Sequence, residues 1–186
     1  MYLWTAIDAS DALGEIRRRA EAENRDLALN EAAFTLPMHV SLKISFALAE
    51  EQAEAAVAEI AAFLGEQPPF PVQVEGLEQQ GSLLWIRMQP SDRLRALHDG
   101  LDARLEARFG VPQHAFDKSF LFHATQFLEE DVQRVARMLE RLRNAPLPAA
   151  FSAERYLIGC SESGQPGTYR VIRRAEGLTN RPRDIV

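Results

Sequence analysis

Two short stretches of this chain, Met38-His39-Val40-Ser41-Leu42 and Phe122-His123-Ala124-Thr125-Gln126, repeat one pattern. Each stretch has a histidine, then a small apolar residue, then a hydroxyl residue. Both the histidine and the hydroxyl residue recur 84 positions later in the chain. A motif that recurs in matching contexts indicates that the chain is built from two similar halves.

The spacing within each motif places its two polar side chains on one face of a strand. Residues i and i+2 of a strand point to the same side, so His39 projects with Ser41 and His123 with Thr125. The alternation continues along the first strand: Lys43 and Ser45 are expected on the polar face, and Val40, Leu42, Ile44 and Phe46 on the core face. Because a strand with a polar face needs a wet cleft or polar partners there, the pattern predicts a cleft shared by both motifs.

Two histidines and two hydroxyls suit chemistry at a phosphodiester. A neutral imidazole can take a proton from an attacking water while a protonated one gives a proton to the leaving oxygen, and an ordinary histidine pKa near 6.5 allows both states. The hydroxyls can donate hydrogen bonds to the non-bridging phosphate oxygens. This scheme needs no metal and no cofactor. Both imidazoles should flank one phosphate, roughly 5–8 Å apart.

The rest of the chain alternates strands and helices and contains at least one hairpin, which favours an α+β fold over a doubly wound parallel sheet. One hairpin is predicted at Gly81-Ser82. A final pair of strands around Ser163–Gly167 is expected to form a closing hairpin. The expected strands are Tyr2–Ile7, His39–Phe46, Pro71–Gln79, Leu83–Gln89, Phe120–Leu128, Phe151–Ser161 and Thr168–Arg173. The expected helices are Ser10–Glu21, Glu50–Leu64, Ser91–Phe109 and Glu129–Arg143, with Ser10 and Ser91 as N-caps. The long connection Asn24–Pro37 is expected to cover a site, and the tail Asn180–Val186 to fray.

Size and composition bound the class of protein. The 186 residues, 46% hydrophobic and 26% charged, fit one globular domain spanning 1–186. The net charge of −6 argues against an extended nucleic-acid-binding surface but leaves room for a pocket that takes one anionic end group. The start of the chain is not typical of a signal peptide, no apolar stretch is long enough for a membrane span, and the single cysteine, Cys160, excludes an internal disulfide. We therefore expect a cytoplasmic protein without membrane contact.

The two motifs resemble the paired HxS/T signatures of the 2H phosphoesterase superfamily, which includes bacterial RNA 2′,5′-ligase and 2′,3′-cyclic phosphodiesterase enzymes. HVSLKISF is similar to the first signature strand and FHATQF to the second, although Phe122 and Gln126 stand where proline and leucine are common. The resemblance extends to YLWTAID, to GSLLWIRMQPSDRLRALHDGL and to YLIGCSESGQPGTYRVI. It implies a bilobal, pseudo-two-fold α+β fold with two antiparallel sheets around a central cleft and helices outside. It also implies catalytic roles for His39 and His123 and phosphate binding by Ser41 and Thr125.

Further residues have both functional and structural interpretations. Lys43 is a candidate to neutralise a phosphate, or an ordinary lysine at the rim of the cleft. Tyr169 is a candidate to line the site, as an aromatic residue of the closing hairpin does in the family, and its neighbour Arg170 should then face away. Trp85 is a candidate to stack on a base, with core packing as the other interpretation.

The remaining histidines and the thiol have more ordinary interpretations. His98 is expected at a surface or boundary position of its helix, and His114 in an exposed loop. The run Arg17-Arg18-Arg19 is expected on a solvated helix face. Cys160, without an activating partner, is expected to be a buried thiol.

Three functions follow from these features. The first is a phosphodiesterase acting on a 2′,3′-cyclic phosphate or a 2′–5′ linkage in a nucleotide or an RNA end. The second is a non-catalytic module with the same fold that binds a nucleotide or an RNA end. The third, a histidine metal site, has little support, because there is no HExxH or CxxC grouping. The patterns leave open the natural substrate, the oligomeric state, the direction of the reaction and which histidine is the base.

Overall fold

Two four-stranded antiparallel sheets form the framework of the computed structural model, which describes residues 1–178. The strands are β1 Tyr2–Asp8, β2 His39–Ala47, β3 Phe70–Gln80, β4 Leu83–Met88, β5 His123–Leu128, β6 Ala150–Ala153, β7 Arg155–Ser161 and β8 Arg170–Glu176. The helices are α1 Ser10–Glu23, α2 Glu50–Gly65, α3 Asp92–Phe109 and α4 Val132–Leu142, with short 3-10 turns at Ala32–Thr35 and Asp117–Ser119.

The two sheets have equivalent connections. The first has the order β2-β1-β7-β8 and the second the order β5-β4-β3-β6. In each sheet the strand that carries a histidine motif is an edge strand. It pairs antiparallel with the strand that precedes it in the chain, β1 or β4, and a helix connects the two. The predicted α+β fold with two antiparallel sheets is therefore confirmed, and each half contributes one motif.

One hydrophobic core joins the two sheets. It contains Leu3, Ile7, Val40 and Leu42 from the first sheet and Val72, Ile86, Met88 and Ala124 from the second. Helix α3 packs on β2, α2 on β7 and β8, and α4 on β3 and β4. Because α3 belongs to the second half of the chain and β2 to the first, this packing holds the two motif strands in a common frame.

Helix ends follow local hydrogen-bond chemistry. As predicted, Ser91 caps α3, its hydroxyl accepting from the Leu94 N–H at 3.1 Å, and Gly110 ends that helix in the left-handed region with φ of 66°. The prediction that Ser10 caps α1 is wrong, because Ser10 is the first residue of the helix. The carboxylate of Asp8 accepts from the Ser10 N–H instead, at 3.0 Å.

The prediction of one strand over Phe151–Ser161 is wrong. The segment divides at Glu154 into β6, which pairs with β3, and β7, which pairs with β1. The chain thus crosses from the second sheet to the first at the polar pair Glu154-Arg155, a change of partner that the apolar residues on either side do not reveal. The hairpin at Gly81-Ser82 is confirmed, since β3 and β4 pair on either side of it.

The predicted frayed tail, Asn180–Val186, lies outside the described residues. Within residues 1–178, none of the helices combines the length and the apolar character that crossing a bilayer requires.

Candidate active site

Both motif histidines line one cavity of about 710 Å³. Its walls come from both sheets, because Trp4, His39 and Ser41 belong to the first and Trp85 and His123 to the second. Apart from those five, it is lined by Leu36, Lys43, Ile44, Ser45, Gln80, Leu83, Phe116, Ser119, Phe120, Leu121 and Tyr169. The connection Asn24–Pro37 reaches the cavity through Leu36, as predicted. Thr125 lies two residues beyond His123, half-buried, and is not part of the lining.

The two imidazoles are held in the same way. Nδ1 of His39 lies 2.8 Å from the carbonyl oxygen of Pro37, and Nδ1 of His123 lies 2.7 Å from that of Leu121. A carbonyl only accepts hydrogen bonds, so each Nδ1 carries the hydrogen. In each ring Nε2 is then the nitrogen left to exchange a proton. The acceptor carbonyl lies two residues before the histidine in both motifs, so the two half-sites, one per motif, orient their imidazole rings in the same way.

Each imidazole also contacts a tryptophan. The rings of Trp4 and His39 have centroids 4.8 Å apart, and those of Trp85 and His123 are 4.1 Å apart. Trp85 is 5% exposed. Its ring is buried in the fold, which confirms the interpretation as a packing residue, and it also forms part of the cavity wall; stacking on a base stays a prediction.

Burial lowers the pKa of both histidines. Loss of solvent is the largest cause for His39 and for His123, and in each case the hydrogen bond to the backbone carbonyl works against it. The pKa of His39 is lowered further by the positive charge of Arg17 and by His123, and raised by Asp8. The two rings therefore share a geometry but differ in their electrostatic surroundings.

A β-bulge follows each motif. Ser41 pairs with Ala6 but Lys43 with Thr5, which leaves Leu42 as the extra residue of β2. In β5, Thr125 pairs with Trp85 and Phe127 with Leu84, which leaves Gln126 as the extra residue. A bulge interrupts the strict alternation of faces. The polar face predicted for β2 is therefore interrupted after Ser41: Lys43 is buried, Ile44 lines the cavity, and Ser45 returns to the cavity wall.

The first bulge changes the role of Lys43. Its side chain is 2% exposed, and Nζ lies 2.7 Å from a carboxylate oxygen of Asp102 and 2.7 Å from one of Asp117. The structure differs from the interpretation of Lys43 as an ordinary exposed lysine: the residue contributes to the cavity lining, but its side chain is buried and its ammonium is bound to two carboxylates. It anchors the turn Asp117–Ser119, which forms part of the cavity wall.

The network around Lys43 was not anticipated from the sequence. His98, expected at a boundary, is fully buried, donates from Nδ1 to the Leu42 carbonyl at 2.6 Å, and places Nε2 3.7 Å from Asp102. Burial raises the pKa of Asp102 in spite of Lys43. It acts in the same direction on Asp117, but hydrogen bonds from Lys43 and from the His114 N–H hold the pKa of that carboxyl below its usual range. His98, Asp102 and Asp117 lie close enough together to share an ion, but the Lys43 ammonium already supplies the positive charge there.

Tyr169 is at the wall of the cavity, as predicted from the sequence. It lines the cavity next to Trp4, its hydroxyl is hydrogen-bonded to Ser45, and it donates to the Gly164 carbonyl at 3.2 Å. Arg170 is exposed, in agreement with the expected alternation. His114 is exposed and Cys160 buried, both as expected.

The arginine run on α1 does not lie wholly in solvent. Arg18 is exposed, but Arg17 is 8% exposed and its guanidinium reaches Met38 and Thr125, which belong to the two motifs. The apolar spacing Leu13, Ile16, Ala20 marks the buried face of α1, and Arg17 adjoins Ile16 on it. The position of Arg17 on this apolar face was the signal in the sequence that could have predicted its burial.

Comparison with known proteins identifies the family of the chain. The profile of the 2′-5′ RNA ligase superfamily matches residues 5–158. A Geobacillus kaustophilus protein whose name describes it as a phosphoesterase is 30% identical over 84 residues. That match covers 44% of this chain and 47% of the relative, so the chain matches about half the length of this curated relative.

Solved structures share the fold. E. coli LigT in complex with 3′-AMP superposes with a TM-score of 0.60 at 20% identity, over 95% of this chain and 98% of LigT. A Thermus thermophilus protein gives a TM-score of 0.60 at 19% identity, over 95% of this chain and 97% of its own. LigT has also been solved with NADP+, with phosphate and with ATP. At these identities the likeness shows the fold.

Proposed function

Because the chain belongs to the 2′-5′ RNA ligase superfamily, we propose that it is a metal-independent phosphodiesterase that acts through His39 and His123. Its substrate is a 2′,3′-cyclic phosphate or a 2′–5′ linkage in a nucleotide or at an RNA end. The observation that carries the proposal is the pair of imidazoles on one cavity, each with Nδ1 held by the carbonyl two residues earlier.

The reaction with a cyclic phosphate is an in-line displacement. One neutral imidazole takes a proton from water as the water oxygen bonds to phosphorus. The P–O bond to the ribose breaks, and the second, protonated imidazole gives its proton to the leaving oxygen. Ser41, which lines the cavity, donates a hydrogen bond to a non-bridging oxygen as charge develops on it. Thr125 is proposed as the second donor because the repeated motif gives it the same position after His123, although it does not contribute to the cavity lining. The first imidazole ends protonated and the second neutral, and proton exchange with solvent restores the starting state.

The walls of the cavity favour a substrate with a nucleobase. Trp85, Phe116, Phe120 and Tyr169 offer aromatic surface, and a base that stacks on an aromatic side chain gains about 1–3 kcal/mol. The LigT complexes with 3′-AMP, ATP and NADP+ are consistent with this class of ligand. The net charge of −6 favours a small or terminal substrate over a long RNA.

Turnover of 2′,3′-cyclic AMP tests the proposal. We expect conversion to a nucleoside monophosphate, identified by chromatography, at a rate that EDTA leaves unchanged. His39→Ala and His123→Ala should each lower the rate by about 10²–10⁴-fold. The double variant should be little worse than either single one, because the pair acts as a unit. His114→Ala is the matched control: this histidine is exposed and outside the cavity lining, so the variant should keep full activity.

Three outcomes would contradict the proposal. Full activity of His123→Ala would exclude the two-histidine mechanism. Loss of activity in EDTA with recovery on adding zinc or manganese would indicate metal catalysis. Binding of the cyclic nucleotide without any turnover would favour the non-catalytic module that binds a nucleotide or an RNA end.

A further inference from the structure

The Arg17 guanidinium is a buried cation that touches both histidine motifs. Arg17 extends from α1 and is 8% exposed. One terminal nitrogen donates to Sδ of Met38, the residue before His39, at 2.7 Å, and reaches the carbonyl oxygen of Thr125 at 3.5 Å. The other donates to the Ala33 carbonyl at 3.3 Å. Arg17 therefore links α1, the start of β2 and the second motif on β5.

The groups in contact with Arg17 are neutral and compensate its positive charge only weakly. Its acceptors are two carbonyls and a thioether, its guanidinium lies 4.2 Å from the ring centroid of Phe34, and Nε has no hydrogen-bond partner. Among residues 1–178 no carboxylate lies within ion-pair distance of it, and Glu21 acts on it only from further away. Burial lowers the pKa of Arg17 to about 10, so it stays protonated near neutral pH. An isolated buried charge is costly, and such a cost is typical of functional sites.

We propose that Arg17 is a positioning residue of this active site, which holds the start of the first motif against the second and places a fixed positive charge beside His39. Arg17 contacts Met38, the residue before His39, and its positive charge disfavours the imidazolium form of His39. His39 is then the imidazole that accepts the proton from water, and His123 the one that gives a proton to the leaving oxygen.

The other charged groups near His39 do not cancel this effect. Asp8, its cross-strand partner on β1, favours imidazolium, but Asp8 is itself paired with Arg174 at 2.7 Å. His123 on β5 acts in the same direction as Arg17. Lys43, on β2 with His39, has its charge bound by Asp102 and Asp117, and the Tyr169 hydroxyl is bound to Ser45 and Gly164.

Titration of the histidine ring carbons by NMR tests the inference without any substrate. The set is the unmodified chain, Arg17→Gln, which removes the charge and keeps a polar donor, and Arg17→Lys, which keeps the charge and loses the planar fork. Arg18→Gln is the matched control, because Arg18 lies on the same helix, is exposed and pairs only with Glu15.

Removing a positive charge lets His39 take a proton more easily, so its midpoint should rise in Arg17→Gln. We expect a rise of about 1 pH unit, the lower end of the effect of a neighbouring charge. The His39 midpoint should stay in place in Arg17→Lys and Arg18→Gln. An unchanged midpoint in Arg17→Gln, or an equal rise in Arg18→Gln, would overturn the inference. If Arg17→Gln does not fold, a shift of the midpoint in Arg17→Lys would overturn it instead.

The kinetic readout rests on the proposed function. A base must be neutral to act, so the rate falls as the pH drops through its pKa. The acid limb of the kcat/KM profile should therefore move to higher pH in Arg17→Gln by the same amount as the His39 midpoint. Arg17→Lys should keep the limb but lose about 10²-fold in kcat/KM, because the two motifs are no longer held in register. A moving alkaline limb would overturn the assignment of His39 as base. A moving NMR midpoint in a chain without turnover would contradict the proposed function but not the role of Arg17.

Discussion

At the scale of the residue, the two half-sites are equivalent in hydrogen bonding and unequal in charge. Each imidazole donates from Nδ1 to a carbonyl two residues earlier and contacts a tryptophan ring. Arg17, a buried cation, contacts Met38 next to His39 and disfavours the imidazolium form of that ring. The proposed mechanism requires one ring to be neutral and one protonated, and Arg17 distinguishes the two rings, which the repeated motif by itself does not.

The hydroxyl residues should contribute less than the histidines. Ser41→Ala and Thr125→Ala should each lower kcat by about 10²–10³-fold, as the loss of one donor to a developing oxyanion does. KM for 2′,3′-cyclic AMP should change little, because the bond strengthens in the transition state.

Ser41→Thr and Thr125→Ser serve as controls for the hydroxyls, since each keeps a hydroxyl at the same position. Steady-state kinetics of the four variants provides the measurement. Full activity in Ser41→Ala would remove Ser41, which lines the cavity, from the site. An inactive Ser41→Thr would show that shape, not the hydroxyl, is what the position requires.

At the scale of the element, a bulge after each motif interrupts the alternation of faces along the strand. The extra residues are Leu42 in β2 and Gln126 in β5, each directly after the motif hydroxyl. Beyond the first bulge, Lys43 turns into the interior and pairs with Asp102 of α3 and Asp117 of the 3-10 turn. Because of the bulge, β2 also binds helix α3 and the 3-10 turn of the cavity wall, both through Lys43.

Loss of Lys43 should be strongly destabilising. Lys43→Met fills nearly the same space but leaves two buried carboxylates without their cation, which typically costs about 3–5 kcal/mol. Urea unfolding at pH 7 gives the measurement. The destabilisation should shrink as the pH falls, because protonation of Asp102 and Asp117 removes the uncompensated charge.

Lys118→Met is the matched control for this change. Lys118 is exposed and adjoins Asp117 in the same turn, so its free energy of unfolding should change by less than about 0.5 kcal/mol. A cost below about 1 kcal/mol for Lys43→Met would mean that the buried network contributes little to stability.

At the scale of the whole molecule, the two lobes share one core. Buried apolar residues from both sheets form one cluster, and α3 from the second half of the chain packs on β2 from the first. The segment β6–β7 crosses between the sheets. A cavity between lobes that shift independently would not keep two imidazoles in register. The shared core therefore serves the site as well as stability.

The chain should unfold in one cooperative transition. Near-ultraviolet circular dichroism, tryptophan fluorescence and far-ultraviolet circular dichroism should give the same midpoint in urea, because Trp4 and Trp85 report on different sheets of one cooperative unit. Two separated transitions, one for each tryptophan, would show that the lobes fold independently. The variants Trp4→Phe and Trp85→Phe assign each fluorescence signal to its lobe.

Local patterns in the sequence determined the class of fold and the centre of the site. The repeated motif identified His39 and His123 because i and i+2 share a face of any strand. The capping serine and the terminal glycine of α3 were readable because helix ends satisfy their hydrogen bonds within a few residues. The hairpin at Gly81-Ser82 was readable for the same reason.

Tertiary structure alone decided which polar side chains belong to the cavity. Lys43 finds its partners 59 and 74 positions along the chain, at Asp102 and Asp117, and Arg17 reaches Thr125 across 108 positions. A bulge of one residue is enough to reverse the face that a side chain occupies, and no local pattern marked the one after Ser41. The motif predicts which side chains share a face of each strand. The charged groups around the two histidines depend on contacts that form only when both sheets are assembled.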